Sequence, residues 1–535
     1  MAQSKSFGSP IYAVYPSVKL LKYHKDNKKK LVFYKELLYG DYILPYLKEG
    51  HYERITISEG DFKGDFIKVH CRKADGFIRS TDYQRNRVLE VNFVDVGQGD
   101  GCHIVTPDDQ QYLIDAGKSD NMLRYLKWRF NLKTAKKAAP DFTVVISHSD
   151  TDHYLGLGQV FTPVKDAKQK LPIGRILHNG MVEASVDSSA GKGKELKRLG
   201  TLVEVGKEKY ISDLCDTNEQ YQERIKNVKV GMYIKTLEKS SAPKSAIRRG
   251  SDPIYTYADE KTGMNMKIEV MGPVAEVIDG KDALPVFDNS DGKTKNGHSV
   301  VLKLTIGHLR LLVGGDLNTE SEYYLIKKYS GIDIAQIKKE LKKKSISDAK
   351  RKELEAQLEE AVCKARELLE VDIAKSCHHG SADFTSEFLR VLNPIATIIS
   401  SGDEESYSHP RPDTLGTIGK FSRGDRSLIF CTELARSSKE FIELYTAPAP
   451  KKADKKAGKA EEDTTPESLK KYSQQKRKER AVTVYGMINV RTDGERVVIA
   501  QKLEQPAARS NWDIHRLEWN DEKQEFEYLL RVDDN

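Results

Sequence analysis

From Val88 onward, apolar runs of strand length alternate with helical stretches, and each run ends in Asp, His or Gly. This alternation predicts an α/β fold. Polar and titratable residues fall just past the strand ends, where the loops of α/β sheets are exposed while the strands stay rigid, so we expect chemistry there. The predicted strands are 91–94, 112–114, 142–146, 173–177, 299–304, 309–313, 373–374 and 396–399.

Residues 1–85 show a different sequence pattern, in which short β-prone runs are separated by glycines. This pattern predicts a small β-rich unit of the SH3-like barrel type. Lysines alternate with tyrosines along its first half, between residues 19 and 35. They form either the solvated face of a small barrel or a surface for nucleic acid.

Two insertions interrupt the main domain, which we place at 86–445. Residues 185–260 are rich in Lys and Glu and show little strand character, whereas residues 325–370 predict helix. In the second insertion Ser347 is a candidate N-cap, and one apolar stripe is expected to pack onto the body or onto a second subunit. The stripe consists of Leu354, Leu358, Val362, Ala365 and Leu369.

The C-terminal part begins with a low-complexity stretch at 446–480, which reads as a linker or surface loop. Residues 481–535 then return to β structure, with a predicted hairpin that turns at Thr492-Asp493-Gly494. We therefore expect this last segment to complete the main domain.

Composition places the chain among soluble globular proteins. Hydrophobic residues make up 38% and charged residues 31% of its 535 residues. No apolar run approaches the roughly 18 residues that a membrane helix needs, and the N-terminus lacks the apolar segment of a secretory signal. The six cysteines form no CxxC pair, which argues against disulfides and cysteine zinc sites and fits the cytoplasm. A net charge of +7 permits a phosphate-rich partner without requiring one.

The strongest chemical signal is a cluster of four potential metal ligands within residues 148–153. His148, Asp150, Asp152 and His153 directly follow the strand predicted at 142–146. A turn that leaves a strand can direct its first two ligands at one cation and the next two at a second cation nearby. Carboxylate and imidazole suit a hard or borderline divalent ion. Histidine and aspartate are also ordinary loop residues, but four of them at this spacing predict a metal site.

Two later strand ends supply candidates for the remaining ligands. The strand at 309–313 leads into Gly314-Gly315-Asp316, where the glycines allow close backbone approach and Asp316 is the natural bridging ligand. The strand at 373–374 leads into Cys377-His378-His379-Gly380-Ser381. Adjacent histidines on an extended backbone cannot both face one ion, so we expect one to be a ligand and the other to support it or face substrate.

In combination, these motifs resemble the metallo-β-lactamase-fold hydrolases, and most closely the hydrolase domain of the ComEC-type DNA-uptake competence proteins. That group opens with segments like residues 92–100 and 113–117 here, and Ser408-His409-Pro410 also matches it. The resemblance runs from about residue 88 to 431 and resumes at 482–503. It omits the N-terminal unit, both insertions and the low-complexity stretch. It implies an αββα sandwich for the main domain.

The resemblance also implies a ligand set for two divalent ions, zinc or manganese. His148 and Asp150 would hold one ion, Asp152 and His153 the other, and Asp316 would bridge them. His379, which precedes Gly380, is the expected ligand rather than His378. Asp150 stands where many relatives have histidine, and an extra carboxylate favours manganese over zinc.

Three more residues complete the expected site. Asp115 would support the His/Asp loop from behind. A tight turn at 95–100 would hold Asp95 or Asp100 near that loop, since no Lys or Ser/Thr completes a phosphate-binding P-loop there. His298 lies where many fold members supply another histidine but competence-type relatives show Asn, so it is either a ligand or a polar residue at a strand start.

The implied chemistry is phosphodiester hydrolysis. Two cations a few Å apart lower the pKa of a water between them and clamp the phosphate oxygens. The leaving oxygen then needs a proton or a positive neighbour, for which His378 and His409 are candidates, with Ser381 as a hydrogen-bond donor and Asp152 as the essential ligand. His409 as an ordinary loop histidine is the alternative.

We expect a metal-dependent nuclease or phosphodiesterase whose substrate is DNA. The membrane channel of the competence proteins is missing from this sequence, so the substrate would be intracellular nucleic acid, as in anti-phage defence. One alternative is a hydrolase of a nucleotide, cyclic nucleotide, lactone or thioester, with the insertion at 185–260 as a lid. The other is a metal-stabilised interaction module. The N-terminal unit and the helical insertion are candidate surfaces for a protein partner or a second copy.

Overall fold

The computed structural model describes residues 6–71, 74–132, 139–162, 171–185, 196–402, 408–432, 486–507 and 510–530. They form a mixed α/β protein, which confirms the predicted fold class. The low-complexity stretch predicted at 446–480 lies outside the described residues.

The N-terminal unit consists of ten short strands. They are β1 (Ile11–Ala13), β2 (Ser17–Tyr23), β3 (Leu31–Leu38), β4 (Tyr42–Pro45), β5 (Leu47–Lys48), β6 (His51–Tyr52), β7 (Arg54–Ile57), β8 (Gly64–Cys71), β9 (Ala74–Arg79) and β10 (Tyr83–Gln84). Eight of them form one sheet in the order β10-β1-β4-β8-β9-β2-β3, with β7 beside β8, and β5 pairs with β6. The path does not close on itself among the described residues, so the β-rich unit is shown but an SH3-like barrel is not confirmed.

The rest of the described chain contributes 21 strands. They are β11 (Leu89–Phe93), β12 (Cys102–Val105), β13 (Gln111–Ile114), β14 (Phe142–Val145), β15 (Ile173–His178), β16 (Thr201–Val205), β17 (Glu208–Ser212), β18 (Lys244–Ala246), β19 (Tyr255–Asp259), β20 (Met264–Gly272), β21 (Glu276–Ile278), β22 (Lys281–Pro285), β23 (Val301–Ile306), β24 (Leu309–Val313), β25 (Ile373–Lys375), β26 (Ala396–Ile399), β27 (Leu428–Cys431), β28 (Ile488–Thr492), β29 (Arg496–Ala507), β30 (Ser510–Asn520) and β31 (Glu525–Leu529).

The described helices belong to this part of the chain as well. They are α1 (Asn121–Arg129), α2 (Thr151–Tyr154), α3 (Leu157–Val160), α4 (Asn218–Asn227), α5 (Met232–Leu237), α6 (Asp291–Gly297), α7 (Thr319–Ser330), α8 (Ile334–Leu341), α9 (Asp348–Leu369), α10 (Ser386–Leu392) and α11 (Pro412–Phe421), with short 3-10 helices at Leu196–Arg198 and Cys377–Gly380.

Two large sheets carry the main domain. The first has ten strands in the order β18-β15-β14-β13-β12-β11-β28-β29-β30-β31, and the second has seven in the order β19-β20-β23-β24-β25-β26-β27. Strand β28 pairs antiparallel with β11, so the C-terminal segment continues the first sheet, as the sequence predicts. The expected hairpin at Thr492-Asp493-Gly494 joins β28 to β29.

The two sheets pack face to face over one apolar core. Val91 and Ile114 of the first sheet share this core with Leu304 and Leu311 of the second. Because alternate side chains of a strand point to opposite faces, the neighbouring residues face outward and need cover from another layer.

Helices cover both outer faces. On the first sheet, Leu113 lies in a cluster with Leu126 of α1. On the second, Leu312 lies in a cluster with Val362 of α9 and Phe388 of α10. The layers therefore follow the order helix, sheet, sheet, helix.

The first insertion differs from its prediction. Residues 196–259 contain strands β16 to β19 as well as α4 and α5, so the expectation of little strand character was wrong. The hairpin of β16 and β17 turns at Gly206 and exposes most of its charged side chains. These charges made the segment look like a Lys/Glu-rich loop, so its alternation of apolar and polar residues was not recognised as a strand pattern. The hairpin joins β22 and β21 in a separate four-stranded sheet.

The second insertion matches its prediction. Helices α8 and α9 and the second half of α7 lie within 325–370. The side chain of Ser347 caps α9 by accepting a hydrogen bond from the amide of Lys350 at 3.3 Å. All five residues of the predicted apolar stripe are buried. Val362, Ala365 and Leu369 pack on the second sheet, whereas Leu354 and Leu358 pack against Ile337 of α8.

The N-terminal unit packs on the C-terminal hairpin. Tyr39 is buried in a cluster with residues of the main domain, and its hydroxyl donates to Asp493 at 2.8 Å. The guanidinium of Arg491 lies 3.4 Å from Asp41 and 3.0 Å from Glu90. No helix in the described part of the chain has the length and apolar character that crossing a bilayer requires.

Candidate metal centre

Parallel strands bring the predicted site residues to one edge of the sandwich. In the first sheet β13 and β14 run parallel, and they lead into Asp115 and into the turn that starts at Ser147. In the second sheet β24, β25 and β26 run parallel, and they lead into Asp316, the 3-10 helix at Cys377–Gly380, and Ser400. Parallel strands place their carboxyl ends on the same edge, which is where α/β sheets bind ligands.

The hydrogen bonds of His153 fix the position of its ring proton. Its Nδ1 lies 2.9 Å from the Oδ2 of Asp115, and Asp115 also accepts from the amide and the hydroxyl of Ser147 at 2.8 and 2.6 Å. Since a carboxylate only accepts, Nδ1 carries a proton, and Nε2 is the nitrogen that remains to bind a further proton or a cation. This Nε2 lies 3.2 Å from Asp316 Oδ2.

The same reasoning applies to His379. Its Nδ1 donates to the carbonyl of Ser400 at 3.0 Å, and a carbonyl cannot donate. The nitrogen that remains is again Nε2, which lies 3.2 Å from Asp316 Oδ2 and 3.8 Å from Asp152 Oδ2.

His148 reaches the same state through two hydroxyl groups. Its Nδ1 lies 3.0 Å from Ser147 Oγ and 3.2 Å from Ser299 Oγ. Both hydroxyl protons are already donated, to Asp115 at 2.6 Å and to the carbonyl of Asn296 at 2.7 Å. The hydroxyl oxygens must therefore accept from His148 Nδ1, and its Nε2 likewise remains to bind a further proton or a cation.

These three Nε2 atoms are buried and, like Asp316 Oδ1, have no hydrogen-bond partner among the described residues. The ligand atoms of His148, His153 and Asp316 lie within 4.8 Å of one another, and so do those of Asp152, His153 and His379. Buried acceptors that face one another repel unless a proton or a cation lies between them. The donor set of imidazole and carboxylate therefore fits divalent cations, which supports the expectation of a metal site without fixing the number or identity of the ions.

The pKa shifts of His153, His379 and Asp316 also show that this cluster is stabilised by positive charge. Burial alone would lower the pKa of both histidines. The carboxylates of Asp316 and Asp115 outweigh burial and raise the pKa of His153 well above its ordinary value. Asp316 and Asp100 do the same for the pKa of His379. Burial raises the pKa of Asp316, but the two imidazoles hold it well below its usual range. Protons here supply the positive charge that a cation would supply when bound.

Asp100 is the acid that the turn at 95–100 delivers to the site. It is buried, forms a close ion pair with Lys375, and lies 3.3 Å from His379 Nδ1. Asp95 accepts from the amide of Gly97 at 3.1 Å and belongs to none of the groups that surround the cation positions. The sequence left open whether Asp95 or Asp100 lies near the metal loop, and in the structure it is Asp100.

Lys375 and Lys295 are charged neighbours that the sequence reasoning missed. Lys375 is a buried lysine at the end of an apolar strand, which is an unusual position and was the available signal. Lys295 forms a close ion pair with Asp150 and lies 3.4 Å from Glu183. One oxygen of Asp150 thus faces a lysine while the other lies 3.7 Å from His148 Nε2, and nothing in the sequence pointed to that lysine.

A cavity of about 880 Å³ opens above the cluster. All the candidate catalytic residues line it, namely Asp152, His378, Ser381 and His409, together with Asp150, Asp316 and His379. His148 and His153 lie beneath its floor. The rings of His378 and His409 have their centroids 6.1 Å apart.

His378 and His379 adopt left-handed backbone conformations, with φ of 51° and 54°. The sequence argument assumed an extended backbone, but the outcome is the same, because the two rings diverge with centroids 6.5 Å apart. Only His379 joins the groups around the cation positions.

The structure does not bring His298 into the cluster. Its Nε2 lies 2.7 Å from the carbonyl of Pro285, and its ring stacks on Phe287 with centroids 4.6 Å apart. Burial lowers the pKa of His298 to about 4, so it stays neutral. This geometry favours the alternative of a polar residue at a strand start.

No family model matches the chain, and a search of curated proteins found no match either.

Proposed function

We propose that this chain is a metallo-β-lactamase-fold hydrolase that cleaves phosphodiesters with the help of divalent cations, and that its substrate is DNA. One observation carries the proposal: three buried imidazoles have Nε2 atoms without a hydrogen-bond partner among the described residues, and these atoms lie close to the carboxylates of Asp152 and Asp316. The layer order of helix, sheet, sheet and helix supports the fold assignment.

The residues that would hold the cations follow from the two groups. His148 would serve one ion, Asp152 and His379 the other, and His153 and Asp316 lie within reach of both. When bound, such ions polarise phosphoryl oxygens and lower the pKa of water. Asp115, Ser147 and Ser400 hold the imidazoles in the tautomer that ligation requires.

The chain's own side chains supply the remaining requirements of phosphodiester cleavage. His378 and His409 line the cavity beside His379, where either ring can pass a proton to a leaving oxygen. Lys118 also lines the cavity, is exposed, and has no ion pair or hydrogen bond among the described residues. We assign Lys118 to the substrate, as a cation that binds a phosphate next to the one attacked.

The proposal is tested by metal content and hydrolysis measured on the same preparation. After removal and return of Mn²⁺, Zn²⁺ or Mg²⁺, we expect cleavage of plasmid and single-stranded DNA and of bis(p-nitrophenyl) phosphate with at least one metal. Asp152→Ala should abolish turnover, while Asp120→Ala, which removes an exposed aspartate paired with Arg124, should not change it. A protein that binds no metal, or that leaves all these phosphodiesters intact with every metal, would contradict the proposal.

A second candidate is hydrolysis of a small substrate, which the shape of the cavity favours. Residues of the first insertion form one wall, including Arg198, Met232 and Tyr233. A volume of about 880 Å³ lies within the range of small-molecule sites. Turnover of nucleotides or cyclic nucleotides by a protein that leaves DNA intact would select this candidate.

A further inference from the structure

The connection between α8 and α9 carries a dense positive charge. We call residues 338–352 the basic tip. It contains eight basic residues and only two acidic ones, Glu340 and Asp348. The basic residues are Lys338, Lys339, Lys342, Lys343, Lys344, Lys350, Arg351 and Lys352.

Half of these charges are free to bind an external partner. Lys338, Lys343 and Lys350 form ion pairs with Glu387, Glu340 and Glu353, and Arg351 donates to the carbonyl of Leu341. The other four lysines are exposed and have no ion pair or hydrogen bond within the described ranges. They are Lys339, Lys342, Lys344 and Lys352.

The basic tip is held rigidly, which distinguishes it from a mobile lysine-rich tail. Ile337 of α8 packs with Leu354 and Leu358 of α9, and all three are buried. Ser347 caps α9, and the rest of α9 is anchored on the second sheet. Because the backbone that carries these charges is already ordered, binding a ligand costs only the ordering of the lysine side chains themselves.

The contacts of α8 connect the basic tip to α10, and the loop that precedes α10 borders the cavity. Lys338 Nζ lies 2.7 Å from Glu387 Oε1 in the first turn of α10. Asp383, four residues before Glu387, lines the cavity and accepts from the amide of Thr319 at 3.2 Å. Lys342 follows Lys338 by about one helical turn, which is roughly 6 Å. A chain that leaves the cavity past Asp383 would run toward Lys338 and the basic tip.

The composition of the basic tip indicates how it would bind. Residues 338–352 contain no aromatic side chain, and the ring that does approach the tip is Tyr323, whose centroid lies 5.9 Å from Lys338 Nζ. The four free lysines contact no aromatic ring in the described part of the chain, so they offer no platform for base stacking. Ammonium groups without aromatic neighbours bind phosphates and read no sequence. An acidic protein would also be attracted, but the tip exposes no apolar anchor of the kind that protein interfaces need.

We propose that the basic tip binds the sugar-phosphate backbone of a polynucleotide whose scissile phosphate lies in the cavity. This inference rests on the proposed function and extends the substrate-binding surface from the metal centre to the second insertion. It assigns to that insertion the capture of a chain several nucleotides beyond the cleavage position, without regard to base sequence.

The test is binding of labelled oligonucleotides at several salt concentrations, with EDTA present so that no cleavage intervenes. Lys339→Gln, Lys342→Gln and Lys344→Gln are combined in one variant. The slope of log K against log salt is negative, and each lost phosphate contact makes it shallower by about 0.7 for single strands and about 0.9 for duplexes, so three lost contacts make it shallower by about 2 to 3. We expect affinity at 0.1 M salt to fall by about 30- to 100-fold. Binding is measured separately for DNA and RNA probes of several unrelated sequences, and the loss in the variant should not depend on base sequence.

A matched control makes the same change of charge elsewhere. Lys48→Gln, Lys63→Gln and Lys261→Gln neutralise three exposed lysines outside both the basic tip and the lysine-rich stretch at 19–35, and should leave the slope unchanged. An unchanged slope in the tip variant, equal losses in both variants, or no binding by the wild-type protein would overturn the inference.

Hydrolysis of bis(p-nitrophenyl) phosphate separates this inference from the proposed function. That substrate is too short to reach the basic tip, so the tip variant should hydrolyse it like the wild type, which also reports on folding. If the wild type hydrolyses this substrate but the tip variant binds polynucleotides normally, the proposed function stands and the inference fails. If no metal supports hydrolysis, the proposed function fails.

Discussion

A single hydroxyl group organises much of the candidate centre. Ser147 donates its one proton to Asp115 and therefore accepts from His148, while Asp115 in turn accepts from His153. Two ring tautomers thus depend on one carboxylate that touches neither Nε2. Such supporting contacts tune metal affinity even though they lie behind the ligands.

Asp115→Asn should therefore weaken metal binding without removing a ligand. An amide facing His153 can donate to Nδ1, which moves the ring proton to Nε2 and blocks the lone pair. We expect a loss of about 10- to 100-fold in metal affinity, measured by titration of the metal-free protein. Asp95→Asn is the control, since Asp95 stands outside the groups around the cation positions, and it should change affinity little. Equal effects of the two substitutions would contradict this assignment.

Local motifs made most of the site predictable. His148, Asp152 and His153 occur in six residues, and Asp316 follows a recognisable strand, so spacing and strand ends indicated them. The choice of His379 over His378 came from the family resemblance. Lys295 and Lys375 were missed because their ion pairs connect residues that are 145 and 275 positions apart. No periodicity records such a contact. The same limit left Asp95 and Asp100 undecided.

At the scale of elements, helix α9 is fixed by one buried stripe. Leu369 is 1% exposed, whereas its neighbour Leu368 is 51% exposed. Leu369→Ala should lower the free energy of unfolding by about 2 to 5 kcal/mol, because it removes buried methyl groups and leaves a cavity. Leu368→Ala should stay within about 0.5 kcal/mol of the wild type. Urea denaturation of both variants measures the difference, and similar losses would refute the burial of the stripe.

The packing of α7 against α10 contains a buried carboxyl group. Glu322 accepts from the amide of Thr385 at 2.5 Å. Burial, with Asp383 and Glu387 nearby, raises the pKa of Glu322 well above its ordinary value. A carboxyl group with a raised pKa favours the folded state most at pH values below the ordinary one near 4.5, and this advantage is lost as the pH rises toward the raised pKa.

Glu322→Gln should consequently stabilise the protein at pH 8 by about 1 to 3 kcal/mol, because an amide stays neutral and its oxygen still accepts from Thr385. Near pH 4 the variant and the wild type should be equally stable. Thermal unfolding at both pH values provides the comparison. A stability difference that does not depend on pH would show that Glu322 is not protonated on folding.

Buried strands and helices were predicted more accurately from the sequence than exposed ones. Strands at 309–313 and 396–399 were predicted to the residue, and the predicted α9 stripe is buried, because continuous apolar runs and helical spacing are strong signals. Strands β16 and β17 were missed, since their exposed faces carry charges that resemble a loop. Strand β12 was missed as well, because Cys102–Val105 is short and lies between glycine-rich and polar turns.

At the scale of the whole molecule, a buried charge network joins the N-terminal unit to the sandwich. Arg491 of β28 is 2% exposed, and its guanidinium lies near both Glu90 and Asp41. Glu90 also pairs with Arg129 of α1 at 2.7 Å. The network thus connects four segments that are far apart in sequence, which favours cooperative unfolding of the described chain.

Arg491→Ala should lower stability by about 3 to 5 kcal/mol, since it leaves a buried carboxylate with one of its two cations missing. Arg124→Ala removes an exposed pair with Asp120 and should cost at most about 0.5 kcal/mol. Urea unfolding monitored by tryptophan fluorescence and circular dichroism tests both. If the variant gains a separate early transition while the main one is unchanged, the network only attaches the N-terminal unit.

The pairing of β11 with β28 has a consequence for synthesis of the protein. Residues 89–93 must wait for their neighbours at 488–492, and the ribosome has to add about 395 residues in between. At about 5 to 20 residues per second this takes on the order of 20 to 80 s. During that interval the nascent chain exposes an unpaired strand edge and half of an apolar face. We therefore expect newly made protein to depend on chaperones until its last strands emerge, and truncated products that lack them to be degraded.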